Sequence, residues 1–293
     1  KQPTKENKKT KWIAAGVILV FTLLLFSNSI NNDILYGWDD GEYISDPDIQ
    51  EMDIAAMFDS YYLGMYQPLA ALSFAINYRS AGEKPEPYHA TNLLLHLVNV
   101  LLVFLLFHQF TNRPDIASVV SLLFAIHPMH VEAVSWIATR SNLIYSAFYL
   151  GALISYLIYL EKKNFWFLGL TLLLFLLSCF SKSMAVTLPV LLLLLDWFYN
   201  RKFRTRAIVE KIPFFIVSVI FGLVSINAAS AFGHIRNLDV EYNLLDRLVL
   251  IIYSIVFYVL KAIVPANLSA VYAYPDKEGM WLSWEYYFSL LVF

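Results

Sequence analysis

The sequence predicts an all-α polytopic membrane protein. Hydrophobic residues make up 59% of the 293-residue chain and charged residues only 15%, and lipid can cover that much apolar surface where a soluble core cannot. The apolar residues come in solid runs without polar alternation, which favours helices over a β-barrel. We therefore expect a helical bundle of about seven to nine spans.

The apolar runs between charged residues and Pro or Gly breaks locate these spans. Seven are predicted at residues 12–30, 89–108, 116–127, 141–160, 165–181, 184–199 and 212–232. Two further runs, 246–264 and 281–293, would raise the number to nine. The run 116–127 is short, and Pro128 disfavours a helical conformation at the residue before it, so this helix is expected to end at His127.

The lysine and arginine residues predict the orientation in the membrane. Residues 1–11 form a lysine-rich tail, and alternation of the spans from a cytoplasmic N-terminus places most of the 21 Lys and Arg residues on the inner side. We therefore expect a cytoplasmic tail at 1–11 and an integral, multi-pass transmembrane domain at 12–293, surrounded by membrane lipids. The net charge of −2 gives no indication of a nucleic-acid partner.

The only long hydrophilic segment, residues 31–88, is predicted to be the first extracytoplasmic loop. Short surface helices are expected in it at 53–63 and 67–79. Near its start, Asp39 and Asp40 place two carboxylates side by side. One acid of such a pair can take a proton from a reacting group, while its neighbour orients it, raises its pKa by like-charge repulsion or holds a cation. Both are therefore candidate catalytic residues.

Four polar residues lie inside the second predicted span. His89, Asn92, His96 and Asn99 are spaced so that all four share one helical face. One interpretation is that they form hydrogen bonds between helices and hold the bundle together. The other is that they line a polar cavity beneath the acidic loop, which applies best to His89 and Asn92 near the outer end.

A second polar group follows the third predicted span and contains His127, His130, Glu132 and Arg140. If residues 131–140 are helical, Glu132 and Arg140 share a face and form an ion pair in a solvated loop. The alternative is that Arg140 holds an anion, while His130 or Glu132 assists a metal ion or an acceptor. Because imidazole and carboxylate together suit many ions, a divalent cation is left open as a cofactor.

A few cations fall on the outer side of the predicted bundle. Arg140 and Lys182 lie in short turns at its mouth, and Arg236 and Arg247 are further candidates. A lipid-linked phosphate is the anion expected there, because cations neutralise the charge that builds up on a phosphate leaving group. Lys182 has the alternative of extending its ammonium group from the apolar region to the membrane surface.

Five motifs resemble one known family in order and spacing. They are Trp38-Asp39-Asp40, Tyr66-Gln67-Pro68-Leu69 with Asn77, YHATNLLLH at 88–96, HPMHVEAVSWIATRSNL at 127–143, and Ser181-Lys182. The family is the transmembrane and tetratricopeptide-repeat O-mannosyltransferases with their bacterial relatives, in the GT-C superfamily of polyisoprenyl-phosphate-sugar-dependent glycosyltransferases. The resemblance covers about residues 30–200 and, more faintly, Arg247 and residues 264–272.

This resemblance implies a GT-C-like helical bundle and an enzyme that transfers a sugar, mannose by the family's name, with inversion. The donor would be a polyisoprenyl-phosphate sugar and the acceptor a protein hydroxyl outside the cytoplasm. The membrane would be a bacterial inner membrane, and a repeat domain would follow residue 293. The family's motifs fall on the catalytic pair Asp39 and Asp40, on His127, His130, Glu132 and Arg140, and on Lys182.

Two positions depart from the family's pattern. Gln67 stands where the family usually has Arg, and Ser183 where it usually has Glu. They support the alternative of a non-catalytic membrane subunit that keeps the fold. A transporter, with the stripe at residues 89–99 lining a path, is the third interpretation, but no span has the Gly- or Pro-broken half-helices expected of one.

Overall fold

A computed structural model describes residues 5–201, 205–233, 242–269, 271–272, 275, 277 and 282–292. The ordered elements in these ranges are helices, without a β-strand, so the all-α prediction is confirmed for this part of the chain. The chain forms two compact units, Lys1–His234 and Ile235–Phe293. The predicted division into a tail at 1–11 and a transmembrane domain at 12–293 stays a prediction.

The α-helices of the first unit follow one another along the chain. They are α1 (Lys5–Phe26), α2 (Asp39–Ile44), α3 (Pro47–Glu51), α4 (Ile54–Asp59), α5 (Pro68–Ala81), α6 (Pro85–Thr111), α7 (Pro114–Ile126), α8 (His130–Ser135), α9 (Arg140–Lys162), α10 (Phe165–Ser181), α11 (Leu188–Phe198), α12 (Thr205–Val209) and α13 (Ile212–Ala231). Short 3-10 helices lie at Ser27–Asn31, Ile137–Thr139 and Ser183–Thr187. The second unit contains α14 (Leu244–Ile263) and α15 (Trp284–Val292).

The long helices coincide with the predicted spans. Within the described ranges, four segments are long and apolar enough to cross a membrane: Lys11–Asn31, Pro85–Thr111, Ile137–Lys162 and Ala207–Ala231. Shorter apolar helices occupy Pro114–Ile126, Phe165–Ser181 and Ser183–Phe198. The prediction of membrane helices is confirmed, whereas the total of seven to nine spans stays a prediction.

Proline and left-handed residues set the helix ends. A proline occupies the first turn of α5, α6 and α7, where its missing N–H costs no helical hydrogen bond. Pro128 ends α7 as predicted, because His127 before it is extended, with ψ 127°. Asn112 and Lys163 close α6 and α9 with φ 56° each, so the chain reverses tightly into α7 and α10.

The loop between α1 and α6 contains more helices than the sequence predicted. The helix expected at 67–79 is present as α5, but the one expected at 53–63 is shorter, because α4 ends before Ser60. Asp46 and Asp53 accept hydrogen bonds from the backbone N–H groups of Ile49 and Ala56, so each starts a separate short helix. The resulting helices pack on a core of Tyr43, Ile44, Ile49, Met57 and Phe74.

The helices of the first unit run back and forth, so their ends form two surfaces. We call the surface with residues 27–88, 127–139 and 182–187 the acidic end, and the surface with residues 11, 108–114, 159–165, 196–201 and 205–211 the basic end. Between them α9 packs against α6 and α10, and α6 packs against α7. Apolar side chains on the outside of α13, such as Val219, are exposed, as expected of a face toward lipid.

Candidate functional site

Asp39 and Asp40 form the first turn of α2 but face different surroundings. Asp40 is 1% exposed. Asp39 is partly exposed and lines a cleft of about 630 Å³ at the acidic end. Other residues along the cleft are Tyr36, Gly37, Trp38, Gly41, Glu42, Ser45, Asp46, Pro47 and Leu63. Of the two adjacent carboxylates, Asp39 is therefore the one that a ligand in the cleft can reach.

The buried carboxylate of Asp40 is held by two backbone N–H groups. Ala138 donates to Oδ1 at 2.8 Å, and Leu35 donates to Oδ2 at 3.1 Å. Burial raises the pKa of Asp40 above the ordinary carboxyl value, the charge of Asp39 adds to this, and the two backbone hydrogen bonds oppose it. Because Ala138 belongs to the 3-10 helix before α9, Asp40 joins the loop between α1 and α6 to the bundle.

Gly41 makes the sharp return of this loop possible. A Cβ atom at position 41 would lie 2.7 Å from the backbone oxygen of Tyr36, closer than non-bonded atoms approach. The segment before α2 therefore crosses directly over the helix, and its backbone N–H at Leu35 reaches Asp40. The glycine after the acidic pair is thus part of the geometry that fixes the pair.

Arg140, predicted to hold an anion, is fully buried at the start of α9. Its Nε donates to Asn92 Oδ1 at 2.7 Å, its Nη2 to the backbone oxygen of Tyr88 at 2.9 Å and its Nη1 to that of Ser73 at 3.1 Å. The guanidinium also lies 4.3 Å from the ring centre of Phe74. A phosphate would have to displace one of these acceptors, and a carrier-binding role for Arg140 stays a prediction.

The polar stripe on α6 makes hydrogen bonds between helices. Asn92 Nδ2 donates to the backbone oxygen of Trp136 at 3.1 Å, and Asn99 Nδ2 to that of Leu143 at 2.9 Å. His96 Nε2 lies 3.1 Å from the backbone oxygen of Ala125. These are the contacts that the first of the two predicted interpretations requires.

His89 is also buried, at 1% exposure, but neither of its ring nitrogens makes a hydrogen bond of normal geometry. The backbone of Asn32 and Asp33 lies beside the ring. His89 therefore contacts the start of the acidic loop from below. Its role, and that of Asn92, in a cavity for an acceptor stays a prediction.

The group from His127 to Arg140 is not one helix. The helix α8 ends at Ser135 and Trp136 is extended with ψ 120°, so the condition of one helix over 131–140, on which the shared face of Glu132 and Arg140 depended, is not met. Glu132 is exposed, and no ion pair joins it to Arg140 in the described part of the chain. The extended residue presents the backbone oxygen of Trp136 to Asn92 and so turns α8 away from α9.

His130 packs into an aromatic cluster below the acidic end. Its ring centre lies 4.4 Å from that of Phe124 and 5.6 Å from that of His96. Burial and the charges of His96 and His127 lower the pKa of His130 to about 4, so its ring is neutral at pH 7. Among the described residues, no group of three or more His, Cys, Asp or Glu residues is arranged to hold a metal ion.

Lys182 lies at the mouth of a second cavity of the acidic end. Its Nζ donates to Asn142 Oδ1 at 2.7 Å, and the side chain lines a space of about 290 Å³ together with Ser183 and Ser225. Burial lowers the pKa of Lys182, and the charge of Glu132 opposes this. Met65 lines the same cavity.

The remaining two predicted cations are Arg236 and Arg247. Arg236 is outside the described residues. Arg247 belongs to the second unit, where its Nε donates to the backbone oxygen of Tyr242 at 3.2 Å and its side chain lines a cavity of about 770 Å³ with Tyr253 and Tyr258. A phosphate-binding role for either residue stays a prediction.

Several contacts of the site carried no signal in the sequence. Gln67 is fully buried and donates a hydrogen bond from Nε2 to the hydroxyl of Tyr43. Burial and the charge of Asp39 raise the pKa of Tyr43, so its hydroxyl stays protonated. The backbone donors at Leu35 and Ala138 belong to apolar residues, and no side-chain pattern could have predicted them.

The chain matches no family model and no solved structure. It does match curated proteins. The protein O-mannosyl-transferase Tmtc1 of Drosophila melanogaster is 35% identical over 140 residues, which are 48% of this chain and 16% of that protein. The protein O-mannosyl-transferase TMTC3 of Homo sapiens is 40% identical over 91 residues, which are 31% of this chain and 10% of that protein.

A third relative extends the match along the chain. The protein O-mannosyl-transferase F38B6.6 of Caenorhabditis elegans is 28% identical over 218 residues, which are 69% of this chain. The match spans 16%, 10% and 31% of the three relatives' own lengths. The resemblance seen in the motifs is confirmed, while the bacterial origin stays a prediction. The chain is a relative of the TMTC family of protein O-mannosyl-transferases.

Proposed function

We propose that this chain is the membrane domain of a glycosyltransferase that moves a sugar, mannose by the names of its relatives, from a polyisoprenyl-phosphate carrier to a protein hydroxyl. The observation that carries the proposal is the fixed acidic pair, in which Asp39 faces a cleft and Asp40 is anchored behind it. The relatives' names support the class of reaction.

In the proposed reaction, Asp39 is the general base. The acceptor oxygen attacks the anomeric carbon from the face opposite the phosphate, so the configuration at that carbon inverts. As the new carbon–oxygen bond forms, the acceptor proton passes to Asp39, and the bond to the carrier phosphate breaks with its electron pair on the phosphate. Asp40, held by two backbone N–H groups, keeps its neighbour in place.

The cavity beside Lys182 is the proposed position of the carrier phosphate. A lysine ammonium group there offsets the charge that develops on the leaving phosphate. A tight turn separates the two spaces: Leu63 lines the cleft and Met65 lines the cavity, with Tyr62 and Met65 paired through their backbones. An acceptor in the cleft and a carrier in the cavity would therefore meet across this turn.

The proposed orientation places the acidic end outside the cytoplasm. Support comes from the charges at the opposite end, where Lys11, Arg113, Lys162, Arg201 and Lys211 lie. An excess of Lys and Arg is typical of cytoplasmic loops. The acceptor would then be a secreted or membrane protein on the outer side.

The test is transfer from polyisoprenyl-phosphate mannose to a peptide that contains Ser and Thr, by the purified chain in lipid nanodiscs. Because a general base contributes about 10²- to 10⁴-fold, Asp39→Asn should reduce the rate by that factor without loss of folding. The matched control is Glu51→Gln, an exposed acid in the same loop, which should keep the wild-type rate.

Two results would count against the proposal. One is a wild-type rate in both Asp39→Asn and Asp40→Asn. The other is the absence of transfer by the wild-type chain from every polyisoprenyl-phosphate sugar supplied, which would favour the non-catalytic subunit that the departures at Gln67 and Ser183 suggest.

A further inference from the structure

Arg140 carries a buried charge that the proposed chemistry does not use directly. It is 0% exposed, and among the described ion pairs none includes it. Its three donor groups contact α5 through Ser73 and α6 through Tyr88 and Asn92. An arginine buried without a carboxylate partner is costly, so its presence calls for a function.

A short series of hydrogen bonds leads from Arg140 to the acidic pair. Arg140 Nε holds Asn92 Oδ1 at 2.7 Å, and the other end of this amide donates to the backbone oxygen of Trp136 at 3.1 Å. Two residues further along the same 3-10 turn, the N–H of Ala138 donates to Asp40 Oδ1 at 2.8 Å. The position of Asp40 therefore depends on a turn whose two sides are held by Asn92 and Arg140.

We propose that Arg140 and Asn92 are positioning residues, which hold the turn at 136–139 so that Ala138 fixes Asp40 and Asp39 faces the cleft. The catalytic role of the acidic pair in this inference rests on the proposed function, whereas the link between Arg140, Asn92 and Asp40 does not. Neither residue touches the acceptor or the carrier in this role. A small displacement of a catalytic group is costly, since about 1 Å can change a rate by about 100-fold.

The charge of Arg140 has a second effect. It and the Asp40 carboxylate interact electrostatically, and Asp39 on the same helix acts on Asp40 as a like charge. Removal of a nearby cation disfavours the charged form of a carboxylate. Without Arg140, Asp40 should therefore keep its proton to a higher pH.

Kinetics separate positioning from substrate binding. Asn92→Leu removes the link between Arg140 and the turn, keeps the branched shape of the side chain at position 92 and leaves the charge of Arg140 in place. It should lower kcat by about 10- to 100-fold with little change in KM for the donor or the peptide. Arg140→Lys should do the same. An increase in donor KM with an unchanged kcat would overturn the inference and favour a phosphate-binding role for Arg140.

Infrared titration of Asp40 tests the inference without any activity. With ¹³C-labelled aspartate and Asp40→Asn to assign the signal, the protonation midpoint of Asp40 should rise in Arg140→Gln. It should also rise in Asn92→Leu, because a displaced Ala138 N–H no longer stabilises the charged carboxylate. The control is Lys211→Met, which removes a buried cation at the basic end and should not move the midpoint. An unchanged midpoint in folded Arg140→Gln would overturn the electrostatic part.

The two kinds of failure are distinguishable. If the wild-type chain shows no transfer but the Asp40 midpoint rises in Arg140→Gln, the proposed function fails and the link between Arg140 and the acidic pair stands. If transfer occurs and Asn92→Leu keeps the wild-type kcat, the positioning role fails and the proposed function stands. Should Arg140→Gln not fold, Arg140→Lys and Asn92→Leu decide the positioning role by their kcat values.

Discussion

The two ends of the bundle differ in the partners of their buried charged side chains. At the basic end, Asp196 and Lys211 pair at 2.6 Å and are each nearly fully buried. Arg201 and Glu210 pair at 2.6 Å beside them. At the acidic end, Asp40 and Arg140 are just as buried, but each is held by uncharged groups and not by the other.

Tyrosines complete the pairing at the basic end. Tyr156 donates its hydroxyl to Asp196 Oδ1 at 2.5 Å, and Tyr159 donates its hydroxyl to Glu210 Oε1 at 2.7 Å. Every charge in this network thus has an opposite charge or a hydrogen bond, as expected of a structural connection between α9, α11 and α13. Separated charges next to an open cleft are typical of functional sites instead. The comparison predicts stability effects at one end and activity effects at the other.

The largest expected effect on stability is at the basic end. Lys211→Met leaves the carboxylate of Asp196 buried without its ammonium partner, and the expected loss is about 3–5 kcal/mol in the free energy of unfolding. Thermal unfolding in detergent measures it, and transfer per folded molecule should be unchanged. The double variant with Asp196→Leu removes both charges and should recover most of the loss. A double variant as unstable as Lys211→Met would show that the pair is not the cause.

Substitution of one glycine, Gly41, should displace the loop that carries the acidic pair. Gly41→Ala places a Cβ atom 2.7 Å from the backbone oxygen of Tyr36, so the segment must move away from Asp40. We expect about 1–3 kcal/mol of destabilisation, together with a lower rate of transfer. Gly37→Ala is the matched control, because nothing lies within 4 Å of a Cβ atom there. Equal effects of the two substitutions would contradict the close contact between Gly41 and the backbone of Tyr36.

The buried Asp40 should make stability depend on pH. Because its folded-state pKa is raised above the unfolded value, the folded protein binds the proton more tightly, and the contribution of Asp40 to stability falls as pH rises through the pKa range. Each pKa unit between the folded and the unfolded state corresponds to about 1.4 kcal/mol in the free energy of unfolding. Asp40→Asn cannot titrate, so the stability of the variant relative to the wild type should increase from acid to neutral pH. A constant difference across this range would contradict the burial of Asp40.

The smallest effect is expected for a residue of the polar stripe far from the acidic pair. Asn99→Leu removes a hydrogen bond to the backbone oxygen of Leu143, and such bonds between membrane helices average about 0.6 kcal/mol. Activity should be unchanged, in contrast to Asn92→Leu on the same helix face. A comparable loss of kcat in both variants would mean that the whole stripe, and not its contact with the turn at 136–139, supports activity.

The sequence predicted the helices well, because a run of apolar residues bounded by charges leaves few alternatives in lipid. The end of α7 just before His127 followed from Pro128 alone. The loop between α1 and α6 was predicted less well. Asp46 and Asp53 look like solvated acids in the sequence, but each begins a short helix by accepting a backbone hydrogen bond. Such caps depend on where the chain turns.

The sequence predicted which residues form the candidate site, but not which groups they contact. Asp39 and Asp40 are adjacent and look equivalent in the sequence, yet one lines a cleft and the other is buried against Ala138. Arg140 was expected to face an anion, whereas its donors contact the backbone of α5 and α6. Burial and backbone partners arise from the packing of segments distant in sequence, and the local pattern of residues does not contain them.

The acidic end is the proposed place of the transfer reaction. The most direct measurement is a structure of the chain in nanodiscs with a non-hydrolysable polyisoprenyl-phosphate sugar bound. We expect density for the phosphate in the cavity beside Lys182, with the anomeric carbon directed toward Asp39 across the turn that contains Leu63 and Met65. Phosphate density at the basic end, with the sugar remote from Asp39, would contradict it.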